Sequence, residues 1–425
     1  MNPYKKTTLD NGLRIITIPI ENAKSTTILI LVGTGSKYEI KDINGISHFL
    51  EHMFFKGTKK RPTTLKISET LDSVGGEYNA FTSNEYTGFY AKVANKHLDV
   101  ALDWISDIFL NSKFDEKEME REKGVIIEEA NMYLDTPMLY LGDLWEKLLY
   151  GDQPAGWMTI GEKENILNFN KKKVLDYYHS HYSSSNTIVC ISGDITPEKA
   201  EEKVRKYFRT IGKGAEGQKE KVKEEQDGPQ ILLHNKKTDQ THFCLGVRAC
   251  NLFDERKYAL SLLAVILGGN MSSRLFIKVR ERNGLAYSIH TSKDTNTDTG
   301  YLVTQAGIDH KNLEKAVKLI LAEYKDLKSK KITQKELQKA KDYFKGITSL
   351  ALDSSDSQAS FYSMQELLEK KILTPEEKFK KIDAVSVNDI NKLAKEIFSG
   401  DKLNLAAIGP FEQKDSDKIK NLLKL

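Results

Sequence analysis

The stretch "NTIVCISGDITPEKAEEKVRKYF", residues 186–208, reads as an apolar strand, a glycine turn and an amphipathic helix. The chain closes on the same pattern in "LNLAAIGPFEQKDSDKIKNLLK", residues 403–424, with Gly193 and Gly409 in matching places. Earlier in each half, "EYNAFTSNEYTGFYAKV" (77–93) matches "AYSIHTSKDTNTDTGYLVTQAGI" (286–308), each reading as two alternating strands joined by a polar turn. A helix-period segment follows each, "NKHLDVALDWISDIFL" and "HKNLEKAVKLILAEYKDL", and then a longer helix beginning near Phe114 or Ile332. Agreement in order, spacing and turn position predicts an α+β fold made of two tandem homologous α/β units. Each unit is expected to be a mainly antiparallel sheet packed with helices.

Between the halves, "GKGAEGQKEKVKEEQDGP" (212–229) is Gly, Lys and Glu with almost no apolar content, the composition of a linker. This divides the chain into residues 1–211, the linker 212–229, and residues 230–425. The repeat also separates scaffold from chemistry. The helical run "SHFLEHMFF" (47–55) has "YALSLLAVILGG" (258–269) as its second-half counterpart, where no His, Glu or Asp occurs. The fold therefore does not need the His and Glu residues of the first run.

Composition sets the class. The 425 residues carry 64 basic and 60 acidic side chains, a formal net charge of +4, mixed along the sequence and without the basic patches of a nucleic-acid binder. Cys190, Cys244 and Cys250 lack CxxC spacing and read as reduced core residues, which fits a reducing compartment. No segment approaches a membrane span and the N-terminus has no secretory pattern, so a cytoplasmic protein is expected, with no membrane partner.

Two histidines and a glutamate in "GISHFLEHMFFKGT" (45–58) need a reason. On a helix His48 and His52 lie one turn apart on one face, about 5 to 6 Å between Cβ atoms. That spacing lets two imidazoles reach one zinc ion with bonds of ~2.0 to 2.1 Å. Glu51 sits at the edge of the same face, placed to touch a water at the metal. The order is HxxEH, the inverse of the HExxH zinc helix. From the motif alone, a solvated helix with two surface histidines would read the same. A catalytic zinc site has three protein ligands, and "EMEREKGVIIEEANMY" (118–133) is a dense source of carboxylates. Glu122 and Glu129 share a face with Ile126, whereas Glu128 points about a quarter-turn away. Two inward glutamates call for a cation.

With these motifs the sequence resembles the pitrilysin and insulysin metallopeptidases, the insulinase family, and especially the small branch that includes the mitochondrial processing peptidase beta subunit. The HxxEH helix, the spacing from His52 to Glu129 within "EREKGVIIEE", and "VRERNGLAY" (279–287) carry the resemblance, which extends from "TTLDNGLRIIT" (7–17) over nearly the whole chain. It implies a processing-peptidase-like fold of the LuxS-like metallohydrolase type, with the zinc site in the first unit and none in the second. His48, His52 and Glu129 are the implied ligands of one zinc per chain, and Glu122 the carboxylate behind them. Glu51 is then the general base, and Arg280 and Tyr287 contact the peptide at the reacting carbonyl. Without the resemblance, Arg280 reads as a surface ion pair and Tyr287 as a half-buried strand residue.

The resemblance further implies an endopeptidase acting on extended or unfolded peptides inside a closed chamber, with Asn79 and Ala80 at the substrate edge. A chamber needs four such units, so a homodimer is expected, or a heterodimer with a related subunit. The competing readings are a non-catalytic assembly subunit of the same fold, as in the respiratory cytochrome bc complex, and a zinc-dependent peptide-binding module.

Overall fold

The structure, a computed structural model, describes residues 3–425. Strands β1 (Lys5–Thr8), β2 (Arg14–Pro19), β3 (Ser25–Val32), β4 (Glu77–Thr82), β5 (Thr87–Ala94) and β6 (Thr187–Gly193) form one sheet in the order β1-β2-β6-β3-β5-β4. Strands β7 (Gln230–Asn235), β8 (Thr241–Arg248), β9 (Ala286–Thr295), β10 (Gly300–Ile308) and β11 (Leu403–Gly409) form the other, in the order β7-β11-β8-β10-β9. Apart from β1, the two orders are the same. In each sheet one pair is parallel, β2 with β6 and β7 with β11, and the remaining pairs are antiparallel. The α+β class and the duplication expected from the sequence are both found. The stretch 212–226, within the expected linker, carries neither helix nor strand.

Two compact units contain these sheets. The first comprises residues 1–131, 157–220 and 350–374, and the second 132–156, 221–349 and 375–425. Each unit thus holds a helix from the opposite half of the sequence, a trade that the division into 1–211 and 230–425 does not contain. In the first unit, Ala359, Tyr362 and Leu367 of the Ser355–Glu369 helix pack against Ile16, Ile18, Leu29, Leu31, Ile188 and Cys190 on one face of the sheet. In the second, Leu141, Leu144, Trp145 and Leu149 of the Pro137–Tyr150 helix pack against Cys244, Val303, Ala406 and Ile408. The central strands are buried on both faces, which is why they read as continuous apolar runs rather than as alternation. All three cysteines are free and buried.

Strand β4 is the edge of the first sheet, and the zinc-type helix Ile46–Met53 lies against it. Its hairpin with β5 is closed by the bond from Ser83 N to Tyr86 O at 2.8 Å. Phe81 faces Gly88 across the pair, and a Cβ at Gly88 would collide with the Phe81 ring. Glycine there leaves room for the outer edge of the Phe81 ring against the neighbouring strand.

Candidate metal centre

The Ile46–Met53 helix is short, eight residues, and its placement is fixed from two sides. Ile46, Phe49, Leu50 and Met53 are buried at helical spacing, with Phe49 edge-on to Phe169 at 5.2 Å between ring centroids. His48, Glu51 and His52 are left on the half-exposed remainder. Gly45 begins the helix at φ 97° and provides no side-chain cap. Its Cβ position lies 2.7 Å from the Gly161 backbone, so only glycine fits. The cap comes instead from Glu39, which is buried. One Glu39 oxygen accepts from Gly45 N at 2.7 Å and Asn44 Nδ2 at 3.0 Å, and the other accepts from Ser47 N at 2.8 Å. A carboxylate at a helix N-terminus satisfies free N–H groups and complements the helix dipole.

Among the described residues, one group of three metal-binding side chains could hold an ion: His48, His52 and Glu129, each half-buried. Glu129 Oε2 stands 3.2 Å from His52 Nε2, and Glu129 Oε1 stands 3.7 Å from His48 Nε2. Tetrahedral bonds of ~2.0 to 2.1 Å place ligand atoms roughly 3.4 Å apart, so the spacing fits zinc, and two imidazole nitrogens with one carboxylate oxygen is a zinc donor set. Glu129 projects from the Glu116–Asp135 helix, which is anchored by the buried residues Met119, Glu122 and Ile126. The adjacent Glu128 is exposed.

Behind this group, Glu122 Oε1 lies 2.8 Å from His52 Nδ1, and its other oxygen accepts from Lys56 Nζ at 2.6 Å. This leaves Nε2 of His52 free to face the cluster and fixes the ring. Burial works to raise the Glu122 pKa, but the His52 and Lys56 hydrogen bonds outweigh it and hold the group below the ordinary carboxylate range. Burial, with the charge of His52, pushes His48 down to about 4, so this ring is neutral. Burial also opposes charge on His52, yet the bonds to Glu122 and Glu129 raise it to about 9 in the metal-free chain. Glu129 is held low, first by its His52 bond.

Glu51 accepts from Thr82 Oγ1 at 2.6 Å, which ties it to the end of β4. Burial raises its pKa, only partly countered by Thr82, in the direction a proton acceptor needs. Asn79 and Ala80 lie on β4 itself. Arg280 and Tyr287 belong to the second unit, where they are brought together: the guanidinium stacks 4.9 Å from the Tyr287 ring centroid and 4.7 Å from that of Phe276. Arg280 sits in a π-helical segment, Phe276–Glu281, and pairs loosely with Glu281 at 3.5 Å. Tyr287 is 82% exposed rather than half-buried, an uncommon position for an aromatic side chain on a strand.

Three contributors escaped the sequence reading. Lys56 carried a usable signal, four residues after His52. Thr82 and Glu39 carried none, since each acts through tertiary contact.

The family model described as Insulinase (Peptidase family M16) matches residues 14–162, and that described as Peptidase M16 inactive domain matches residues 168–344. An uncharacterized zinc protease of Bacillus subtilis is 38% identical over 406 residues, 96% of this chain and 98% of that one. The solved structure of a protease from Helicobacter pylori is similar with a TM-score of 0.90 and 25% identity, over 96% of this chain and 99% of that one. A chain of Complex III2 from Candida albicans has a TM-score of 0.85 at 20% identity, over 99% and 100% of the two chains, a likeness of fold alone.

Proposed function

This chain belongs to the insulinase family of peptidases, M16, and from that premise we propose that it is a zinc endopeptidase cutting extended peptides or unfolded segments, with Glu51 as general base. The observation that carries the reading is the convergence of His48, His52 and Glu129 beside Glu51 at the sheet edge. Held by those three side chains, a zinc ion would supply a water acidified toward neutrality and a Lewis acid for the peptide carbonyl. Glu51 takes the proton of the attacking water and passes it to the leaving amine. Thr82 keeps that carboxylate aimed while burial keeps it basic. Glu122, pinned by Lys56, keeps the His52 ring in register.

The peptide binds by adding a strand along the open edge of β4, beside Asn79 and Ala80, with the outward-facing Ala80 backbone making hydrogen bonds that tolerate many side chains. Tyr287 donates to the developing oxyanion, and Arg280, stacked on its ring, adds positive charge. The chain works as a cytoplasmic homodimer with one zinc per chain, each site completed by Arg280 and Tyr287 of the other copy inside a closed chamber, in the manner of a processing peptidase. The same-fold alternative, a non-catalytic assembly subunit, draws on the inactive-domain match over residues 168–344 and on the Complex III2 likeness.

Metal analysis of the purified chain alongside hydrolysis of a quenched fluorescent peptide separates these readings. The enzyme reading expects about one zinc per chain, cleavage abolished by chelation, and recovery on adding zinc. Bound zinc without cleavage of any peptide in a broad panel would leave the non-catalytic reading.

A further inference from the structure

The hydrogen-bond ladder determines which groups of β4 face the open edge. Ser83 and Tyr86 form the closing hydrogen-bonded pair of the hairpin, and bonded and non-bonded pairs alternate from there. Phe81 and Asn79 therefore turn their N–H and C=O toward β5. Tyr78, Ala80 and Thr82 turn theirs outward, to the side where no further strand of the described residues pairs. Yet the Ala80 N–H is not open: it donates to the Asn79 Oδ1 at 2.9 Å. The preceding side chain has folded along the strand and taken the donor that an incoming strand would use.

We infer that Asn79 is a self-capping residue: its carboxamide occupies the Ala80 N–H in the free enzyme and must leave before a peptide strand docks. The inference rests on the strand-addition reading and deepens it. Asn79 is exposed, so its side chain has room to swing away, and its carboxamide can be satisfied by water when it does. The chemistry suits a reversible cap. A neutral amide oxygen makes a bond weak enough to be displaced by a peptide carbonyl, whereas an ionised carboxylate in the same place would bind the N–H about twice as strongly. A cap also answers a hazard of the architecture, because a bare edge strand invites pairing with any other strand. Thr82, two residues on, contacts Glu51 through its Oγ1, so the group being uncapped lies two residues along β4 from the strand's contact with the proposed base.

The test compares Asn79→Ala with Asn79→Asp, both in a Glu51→Gln background loaded with zinc. Binding of a fluorescein-labelled, uncharged, unstructured peptide is read by anisotropy, and exchange of the Ala80 amide by NMR. Removing the cap should tighten peptide binding by about 3- to 10-fold and speed Ala80 exchange, and the carboxylate should weaken binding by a similar factor. Weaker binding in both variants would make Asn79 a direct substrate contact, overturning the cap while leaving strand docking intact. Unchanged binding in both, with peptide still bound, would overturn the cap and the docking edge together.

Discussion

Glu128 and Glu129 are neighbours in sequence, but successive helical residues point about 100° apart. Only Glu129 faces the imidazoles, and Glu128 is left in solvent. Glu129→Gln should therefore lower zinc affinity by about 10-fold or more, with Glu128→Gln close to wild type. Equal loss in the two variants, measured by competition with a chromogenic chelator, would mean the helix is turned otherwise. Protonation gives a second handle. Zinc needs unprotonated imidazoles, and in the metal-free chain His52 titrates at about 9 whereas His48 titrates at about 4. Between pH 5 and 8 only His52 must shed a proton, so affinity should rise about tenfold per pH unit and level off above about 9. Calorimetry in buffers of different ionisation enthalpy should register about one proton released per zinc; none released would contradict the His52–Glu122 arrangement. At this scale the sequence was informative, because the shared face of His48 and His52 and that of Glu122 and Glu129 follow from helical periodicity, while the choice of ligands came with the family resemblance. Lys56 and Thr82 act through side-chain reach across elements, which periodicity does not encode.

The Ile46–Met53 helix is too short to be stable alone, and helices under about 12 to 15 residues are marginal in water. Its rigidity comes from Phe49 and its apolar neighbours below and from Glu39 at its start. Phe49→Ala should cost ~3 to 5 kcal/mol of stability. Because the same packing sets the direction of His48 and His52, zinc occupancy should fall with it. A thermal melt paired with metal analysis checks both, and full zinc occupancy in a strongly destabilised variant would separate packing from ligand placement. The elements themselves were legible: the paired strands appear at Glu77–Ala94 and Ala286–Ile308, and the long helices start at Glu116 and Gln334, close to the expected positions. Alternation and apolar runs report such elements directly. The Glu39 cap was not legible, since a buried acid seven residues before a helix looks like any loop carboxylate.

Across the whole chain, the duplication was readable because both copies keep the same order of strands, down to one parallel pair in each sheet. The exchange of the Pro137–Tyr150 and Ser355–Glu369 helices was not, because an amphipathic pattern says that a face is buried and never against what. Completion of each site by a second copy predicts complementation. Glu51→Gln and Tyr287→Phe homodimers should each be nearly inactive, and a mixed dimer carries both defects on one site and none on the other. Co-refolded mixtures should then regain about a quarter of wild-type activity, half the dimers being mixed with one intact site each. A mixture as inactive as its parents, with exchange demonstrated, places the pair within its own chain. The central claim, that this chain is a zinc peptidase using Glu51 as base, is tested most directly by measuring zinc content and peptide hydrolysis on the same preparations of wild type and Glu51→Gln. The amide can still hydrogen-bond water but cannot accept its proton, so the variant should keep about one zinc per chain and lose hydrolysis by about 10² to 10⁴-fold. Hydrolysis at the wild-type rate in a zinc-loaded Glu51→Gln chain would contradict it.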